Sequence, residues 1–382
     1  MNDGDEHALF ARAARAVDPG ATLRRVWPLK GGISSRMTAL EVERADGAAA
    51  RFVVRRPDDA LRHNPDAAAH EFRLLQGLQT AGLPTPAPLL LDASGAIFPM
   101  PYLVIGYIDG APEAAMARQD DVVAPLAAQL ARIHATDWPR LGLSFLPAHT
   151  PHHIHQRTFP PMPETLPVGP IRAVLAQRWP AQGLRPTVLL HGDYWVGNVL
   201  WKRGRITGVI DWEEARIGNP FADLAITRLE MLWTFGSAAM DEFTRHYLSL
   251  VPLDIADLPY WDLDAALRPV FNIGDWAAGW PDFGRPDITE ATLRAGHAPV
   301  VVCGAKVRTV LRHIAAGPIP KLTVLSLNEI PRDTRLQSLG QIPLNAVKMP
   351  MKQESGVRSQ ESGVRRNGRE TSRLRNFLIP VS

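Results

Sequence analysis

The chain has 382 residues and a mass of 42.0 kDa, enough for one large domain or for two lobes with a cleft between them. Apolar residues make up 46% and charged residues 21%, so a packed globular core is expected, and the single cysteine, Cys303, excludes an internal disulfide and suits a reducing compartment. The sequence pI is about 9.2, but the basic excess sits in the tail: residues 306–382 carry a net +9 and the rest −6 of a total of +3, a distribution that argues against a nucleic-acid partner.

The amino terminus, Met1-Asn2-Asp3-Gly4-Asp5-Glu6, is acidic and lacks the charged-then-apolar order of a secretory signal. No apolar run approaches the roughly 18 residues of a membrane helix. A soluble, cytoplasmic protein with no membrane partner is expected. Strands are predicted at Leu23 to Pro28, at Arg36 to Arg44 and, after a turn at Ala45-Asp46-Gly47, at Arg51 to Arg56. Between the first two, Lys30-Gly31-Gly32-Ile33-Ser34-Ser35 is a small-residue loop able to bring backbone N–H groups close to a phosphate; a Gly-Gly pair followed by serines is equally the mark of a plain turn.

A helix is predicted from Pro65 to Ala81, with Ala68, Phe72, Leu75 and Leu78 on one side, followed by strands at Ala87 to Leu91 and Ile97 to Ile108. A second amphipathic helix, Asp120 to Thr136, carries Val123, Leu126, Leu130 and Ile133 on its buried face. Residues 147–170 are rich in proline and histidine and carry no periodic pattern. Thr187 to Leu190 is a short strand leading into His191, and Val199 to Trp201 with Ile206 to Ile210 form a hairpin about Lys202-Arg203-Gly204-Arg205. From Pro220 the pattern is helical to about Leu250, with proline-interrupted helices to about residue 316. Beyond, Gln353-Glu354-Ser355-Gly356-Val357-Arg358 recurs as Gln360-Glu361-Ser362-Gly363-Val364-Arg365 in a polar context, and no chemistry is expected there.

The chemistry concentrates in His191-Gly192-Asp193-Tyr194-Trp195-Val196-Gly197-Asn198 and Ile210-Asp211-Trp212. Moving a terminal phosphoryl group from ATP to an alcohol needs a base for the hydroxyl proton and hard oxygen ligands for the magnesium that neutralises the phosphates. Asp193 follows a strand into a loop, where it can serve as the base. Asn198, five residues on, and Asp211, at the end of the next strand, supply two oxygen ligands. One hairpin thus delivers three groups to one edge.

These motifs, continued by Gly218-Asn219-Pro220 and Asp223-Leu224-Ala225, resemble the signature of the aminoglycoside phosphotransferase and choline kinase-like family over roughly residues 20–305. The resemblance implies an α+β, two-lobed protein kinase-like fold: a small N-terminal antiparallel sheet lobe with one helix (1–109) and a larger, mainly helical C-terminal lobe (110–318); residues 319–382, beyond its reach, read from their composition as an atypical, poorly ordered basic tail. It further implies a small-molecule O-phosphotransferase using ATP, or GTP, with Mg2+, acting on a small alcohol. By the same resemblance Asp193 is the catalytic base and Asn198 and Asp211 the magnesium ligands. His191 supports the loop, and Asp223 braces it from the following helix. Gly31, Gly32, Ser34 and Ser35 line the nucleotide loop. Arg55 stands where relatives carry a phosphate-contacting lysine, with Glu71 as its helical partner and Arg56, on the opposite strand face, as the alternative. The backbone of Gly106 and Ile108, in Val104-Ile105-Gly106-Tyr107-Ile108, would meet adenine.

Other readings stay open beside this one. A catalytically silent nucleotide-binding protein would explain the arginine in place of lysine; a metallophosphoesterase would use His191 and Asp193 as ligands but needs further histidines and acids at strand ends. His149, His152, His153 and His155 either hold zinc or belong to a proline-rich loop. Trp261, Trp276 and Trp280 with Asp275 and Asp282 either line a pocket for a cation or pack the helices. Glu213 and Glu214 face either the cleft or solvent.

Overall fold

The computed structural model describes residues 3–29, 35–57, 66–112, 119–151, 168–179 and 187–296. Gly31, Gly32 and Ser34, the histidines at 152, 153 and 155, Cys303 and everything from 297 onward, the duplicated heptapeptide included, lie outside the described residues.

Five antiparallel strands make the N-terminal sheet: β1 (Thr22–Pro28), β2 (Ser35–Glu43), β3 (Ala49–Pro57), β4 (Pro88–Asp92) and β5 (Tyr102–Gly106), in spatial order β1-β2-β3-β5-β4. The β2–β3 turn closes where Asp46 and Gly47 foretell it. The Asp46 carboxylate accepts from the Ala48 N–H at 2.9 Å, and Gly47 takes the positive φ of 81° that a side chain would disfavour. Two-residue alternation then sorts the sheet. Leu40, Val42, Phe52, Val54, Tyr102 and Val104 face one way and bury Phe10, Ala13 and Ala14 of a helix, α1 (Asp3–Val17). This helix was not foreseen, and it joins α2 (Ala67–Thr80) as a second helix packed on the sheet.

The same alternation decides between the two adjacent arginines. Arg56 lies on the α1 side, paired with Glu6 at 3.0 Å and set over the rings of Phe10 and Phe98. Arg55 lies on the other side, toward α2. The long strand expected from Ile97 is only Tyr102–Gly106, because Pro99 and Pro101 lack the N–H groups a ladder needs.

Helices dominate from there on: α3 (Gln119–His134), α4 (Val168–Arg178), α5 (Phe221–Phe235), α6 (Ser237–Leu250), α7 (Leu258–Ala265) and α8 (Ile273–Gly279). Val123, Leu126, Leu130 and Ile133 are buried as their spacing requires, with α3 packed on α6 and α5 on both α6 and α7. The helical run expected from Pro220 to Leu250 is cut by Gly236, whose φ of 93° no helix accepts. Two small sheets hold the candidate residues. One pairs β6 (Val188–Leu190) with a strand not foreseen, β9 (Arg216–Gly218); the other is the hairpin of β7 (Val199–Lys202) and β8 (Arg205–Val209). Among the described residues, no helix is long and apolar enough to cross a membrane.

Candidate active site

Strand β6 ends at Leu190 and delivers His191, Gly192 and Asp193 into a loop whose shape is fixed from below. Asp223, in the first turn of α5, accepts the His191 N–H at 2.7 Å on one oxygen and the Gly192 N–H at 2.8 Å on the other. His134, at the end of α3, approaches the first oxygen at 3.2 Å and turns its other ring nitrogen to the Tyr247 hydroxyl at 2.6 Å. Burial would raise the Asp223 pKa, but the hydrogen bond and charge from His134, with His191, bring it below its ordinary value. Gly192 cannot be replaced without moving this loop: it has φ 84°, and a Cβ would run into the carbonyl of Glu214.

The His191 ring is also committed. Burial lowers its pKa, so it is neutral; Nε2 lies 3.0 Å from the Ile210 carbonyl and Nδ1 accepts the Asp193 N–H at 3.2 Å. Since only an N–H can face a carbonyl, the proton is on Nε2. One imidazole thereby ties the Asp193 loop to the strand end that carries Asp211.

Asp193 is 5% exposed. Asn198, closing a single 3-10 turn, donates Nδ2 to both the carbonyl and Oδ2 of Asp193 at 2.9 Å, which leaves its amide oxygen turned the other way. Oδ1 of Asp193 accepts from Nη2 of Arg268 at 2.5 Å. Arg268 follows α7 and was not singled out from sequence; no motif surrounds it. Asp211 sits just past β8 with a left-handed φ of 64°, a conformation that costs a side-chain-bearing residue on the order of 1 kcal/mol or more. Burial raises its pKa to about 6, Arg55 pulling down while Asp193, Glu71 and Glu214 push further up. A strained, half-buried acid among other acids offers a hard oxygen suited to a divalent cation, and the Asn198 amide oxygen is a second oxygen of that kind in the same motif. Among the described residues no group of three or more His, Cys, Asp or Glu is arranged to hold a metal ion. His149 donates its N–H to the Ile217 carbonyl and packs its ring on Trp261.

From the sheet, Arg55 joins Glu71 of α2 at 2.9 Å through Nε and Glu213 through Nη2, with Nη1 at 3.7 Å from the Met37 sulfur. The expected Arg55–Glu71 pair is therefore present, and Glu213 adds a second carboxylate from the segment after Asp211. Ser35 reaches the same Glu213 oxygen at 3.4 Å. Glu214 pairs with Arg216 at 2.7 Å. Gly106 donates its N–H to Ala87 at 2.8 Å, and the chain beyond it is pinned to the catalytic hairpin by the Ala111–Trp201 bridge. The Ile108 side chain packs against Gly208, where a Cβ would collide with it. Trp261 and Trp280 are buried against other rings, Asp275 and Asp282 lie exposed, and the Trp276 ring already carries the Arg268 guanidinium 5.4 Å from its centre.

Residues 26–262, well over half of the chain, match the sequence profile of the phosphotransferase enzyme family. The chain belongs to that family. The phosphotransferase is 25% identical over 197 residues to acyl-CoA dehydrogenase family member 10 of Mus musculus, an alignment covering 46% of this chain and 18% of that protein. It is 31% identical over 181 residues to viomycin phosphotransferase of Streptomyces vinaceus, covering 41% and 59%. It thus spans less than two thirds of either relative. In three dimensions it superposes on the GDP complex of aminoglycoside 2'-phosphotransferase-IIIa with a TM-score of 0.55 at 16% identity, covering 76% of this chain and 98% of the other. That likeness establishes the kinase-like fold: an antiparallel N-terminal sheet followed by a mainly helical part.

Proposed function

We propose that this phosphotransferase moves the terminal phosphoryl group of ATP to a hydroxyl of a small acceptor, with GTP as the alternative donor. Asp193 is the base. The observation that carries the reading is the grouping of Asp193, Asn198 and Asp211 at one edge of the β7–β8 hairpin, with Arg55 and Glu71 bridged to the same segment through Glu213. Asn198 and Asp211 would hold magnesium, which when bound neutralises charge on the phosphates. Arg55 would contact phosphate as a planar fork, and the backbone at Gly106 and Ile108 would meet the base. Asp193 accepts the hydroxyl proton, its orientation fixed by Asn198 on one oxygen and Arg268 on the other. His191 and Asp223 position the loop and touch no reactant. A small, cytoplasmic alcohol substrate fits this assignment, and no nucleic-acid or membrane partner is needed.

The test is coupled ADP release over a panel of aminoglycosides, macrolides, amino alcohols, hydroxy acids and sugars, with magnesium present or chelated. Asp193→Asn should lower kcat by about 10²- to 10⁴-fold in a variant that still folds and binds nucleotide, and Asp211→Ala should abolish magnesium-dependent turnover. Full turnover in both variants overturns the assignment.

A further inference from the structure

Arg268 is 7% exposed, yet among the described residues it makes a single hydrogen bond, Nη2 to Asp193. Nε and Nη1 donate to nothing, and neither is among the polar atoms closed off from solvent without a partner. A guanidinium buried this far normally has its donors matched, because each unmatched N–H forfeits hydrogen bonds it would have in water. Glu230, on α5, has the same character. It is 6% exposed, has no hydrogen bond among the described residues, and its charged neighbours there are Arg268 and Asp193. Burial, with Asp193 adding to it and Arg268 opposing, lifts the Glu230 pKa to about 8, so that near neutral pH it is largely a carboxylic acid with a proton to donate. Two buried groups beside the proposed base therefore present donors, and neither is fully satisfied among the described residues.

We propose that Arg268 and Glu230 form the acceptor-recognition corner of the site and select a hydroxylated carboxylic acid, whose carboxylate takes the unused edge of the Arg268 fork while its hydroxyl faces Asp193. This rests on the phosphotransferase reading of the site. A planar fork with a free edge matches a carboxylate in two parallel hydrogen bonds, and the neutral acid of Glu230 supplies a third. Arg268 is already paired with Asp193, so an acceptor carboxylate adds one negative charge to that pair where a phosphate would add two, which favours the monoanionic carboxylate over the dianionic phosphate. A cationic acceptor is disfavoured here: it would meet a buried positive charge, and the Trp276 face that would otherwise attract it is already covered by that charge. The chemistry gains from the arrangement. As the acceptor O–H gives its proton to Asp193, an O–P bond forms at the γ-phosphorus and the bond to the β-phosphate oxygen breaks, leaving ADP. Asp193 is then neutral, and the substrate carboxylate remains as the counter-charge of Arg268.

The experiment compares hydroxy acids of four to eight carbons with their primary amides, the matching amino alcohols and the matching alcohol phosphates. Turnover is measured by coupled ADP release in the full chain and in Arg268→Gln, Arg268→Lys and Glu230→Gln. The expected result is kcat/KM about 10- to 100-fold higher for acid than for amide, with the advantage carried mainly by KM, erased in Arg268→Gln and only partly restored by Arg268→Lys. Equal turnover of acid and amide, preference for the amino alcohol or the phosphate, or a preference that survives Arg268→Gln overturns the inference and leaves the phosphotransferase reading standing. If no compound is turned over, that reading fails, and calorimetry on Asp193→Asn loaded with ADP and magnesium decides the inference: binding of acid but not amide, lost on adding Arg268→Gln, upholds it, and equal binding overturns it. Thermal melting and retained nucleotide binding confirm that each variant folds; should Arg268→Gln fail them, Arg268→Lys and the acid-to-amide ratio of the unmodified chain carry the decision.

Discussion

Asp223 and Glu230 stand two turns apart on one face of α5, about 10 Å along its axis, and both are buried, yet their surroundings drive them in opposite directions. Asp223 receives two backbone N–H groups and a histidine and falls below its ordinary pKa. Glu230 receives no hydrogen bond and rises to about 8. Between them Thr227 donates to the Tyr194 carbonyl, so the whole face is turned toward the catalytic loop. The contrast separates a carboxylate used to build the site from one left for something the site will take up.

Removing Asp223 should therefore have the largest effect. Asp223→Ala strands two backbone donors and His134 in a dry interior, and urea unfolding should show a loss of about 3–5 kcal/mol together with loss of turnover. A stable Asp223→Ala protein would break the contrast outright.

Glu230→Gln should show a smaller effect of characteristic pH dependence. The folded chain holds the Glu230 proton up to about pH 8, whereas the unfolded chain releases it near 4.5. The native state therefore binds more protons across that window, and this residue's contribution to stability falls as pH rises through it. Glutamine does not titrate, so its Tm advantage over the unmodified chain should be near zero at pH 5 and grow to several degrees by pH 8. A gap that does not change with pH would remove the distinction between the two acids. Asp223 has the opposite sign: its stabilisation is present above about pH 4 and is lost in acid as pH falls through its depressed value.

The least effect is expected from Lys202→Ala. Its partner Asp109 is exposed and solvent screens the pair, so the urea midpoint and kcat should both stay where they are in the unmodified chain. A large loss in either would show that the join between the sheet and the catalytic hairpin matters more than the buried network does.

The two acids also mark how far the sequence could be read. That Asp193, Asn198 and Asp211 lie together was legible because they share one local motif: Asp193 leaves β6 five residues before Asn198, which opens the β7–β8 hairpin, and Asp211 follows the strand that closes it. Asp223 followed from the motif that continues theirs. The Arg55–Glu71 pair was legible through the family resemblance, whereas the α1 helix, whose packing shows that Arg56 and not Arg55 turns to the other face, was not, its acidic first turn giving no apolar signal before Leu9 and Phe10. Strand β9 is three residues long and takes its identity from pairing with β6, which no local pattern encodes. Arg268 and Glu230 were out of reach for a related reason. They lie 75 and 37 residues beyond Asp193, outside any motif, and meet it only through the packing of α5 and the turn after α7.

The left-handed backbone at Asp211 has a consequence of its own. The position asks for glycine by conformation and for an uncharged residue by environment, and it holds an aspartate. A programme of laboratory evolution that rewarded heat resistance alone would be expected to discard this side chain early, trading a working enzyme for a hardier, inert one.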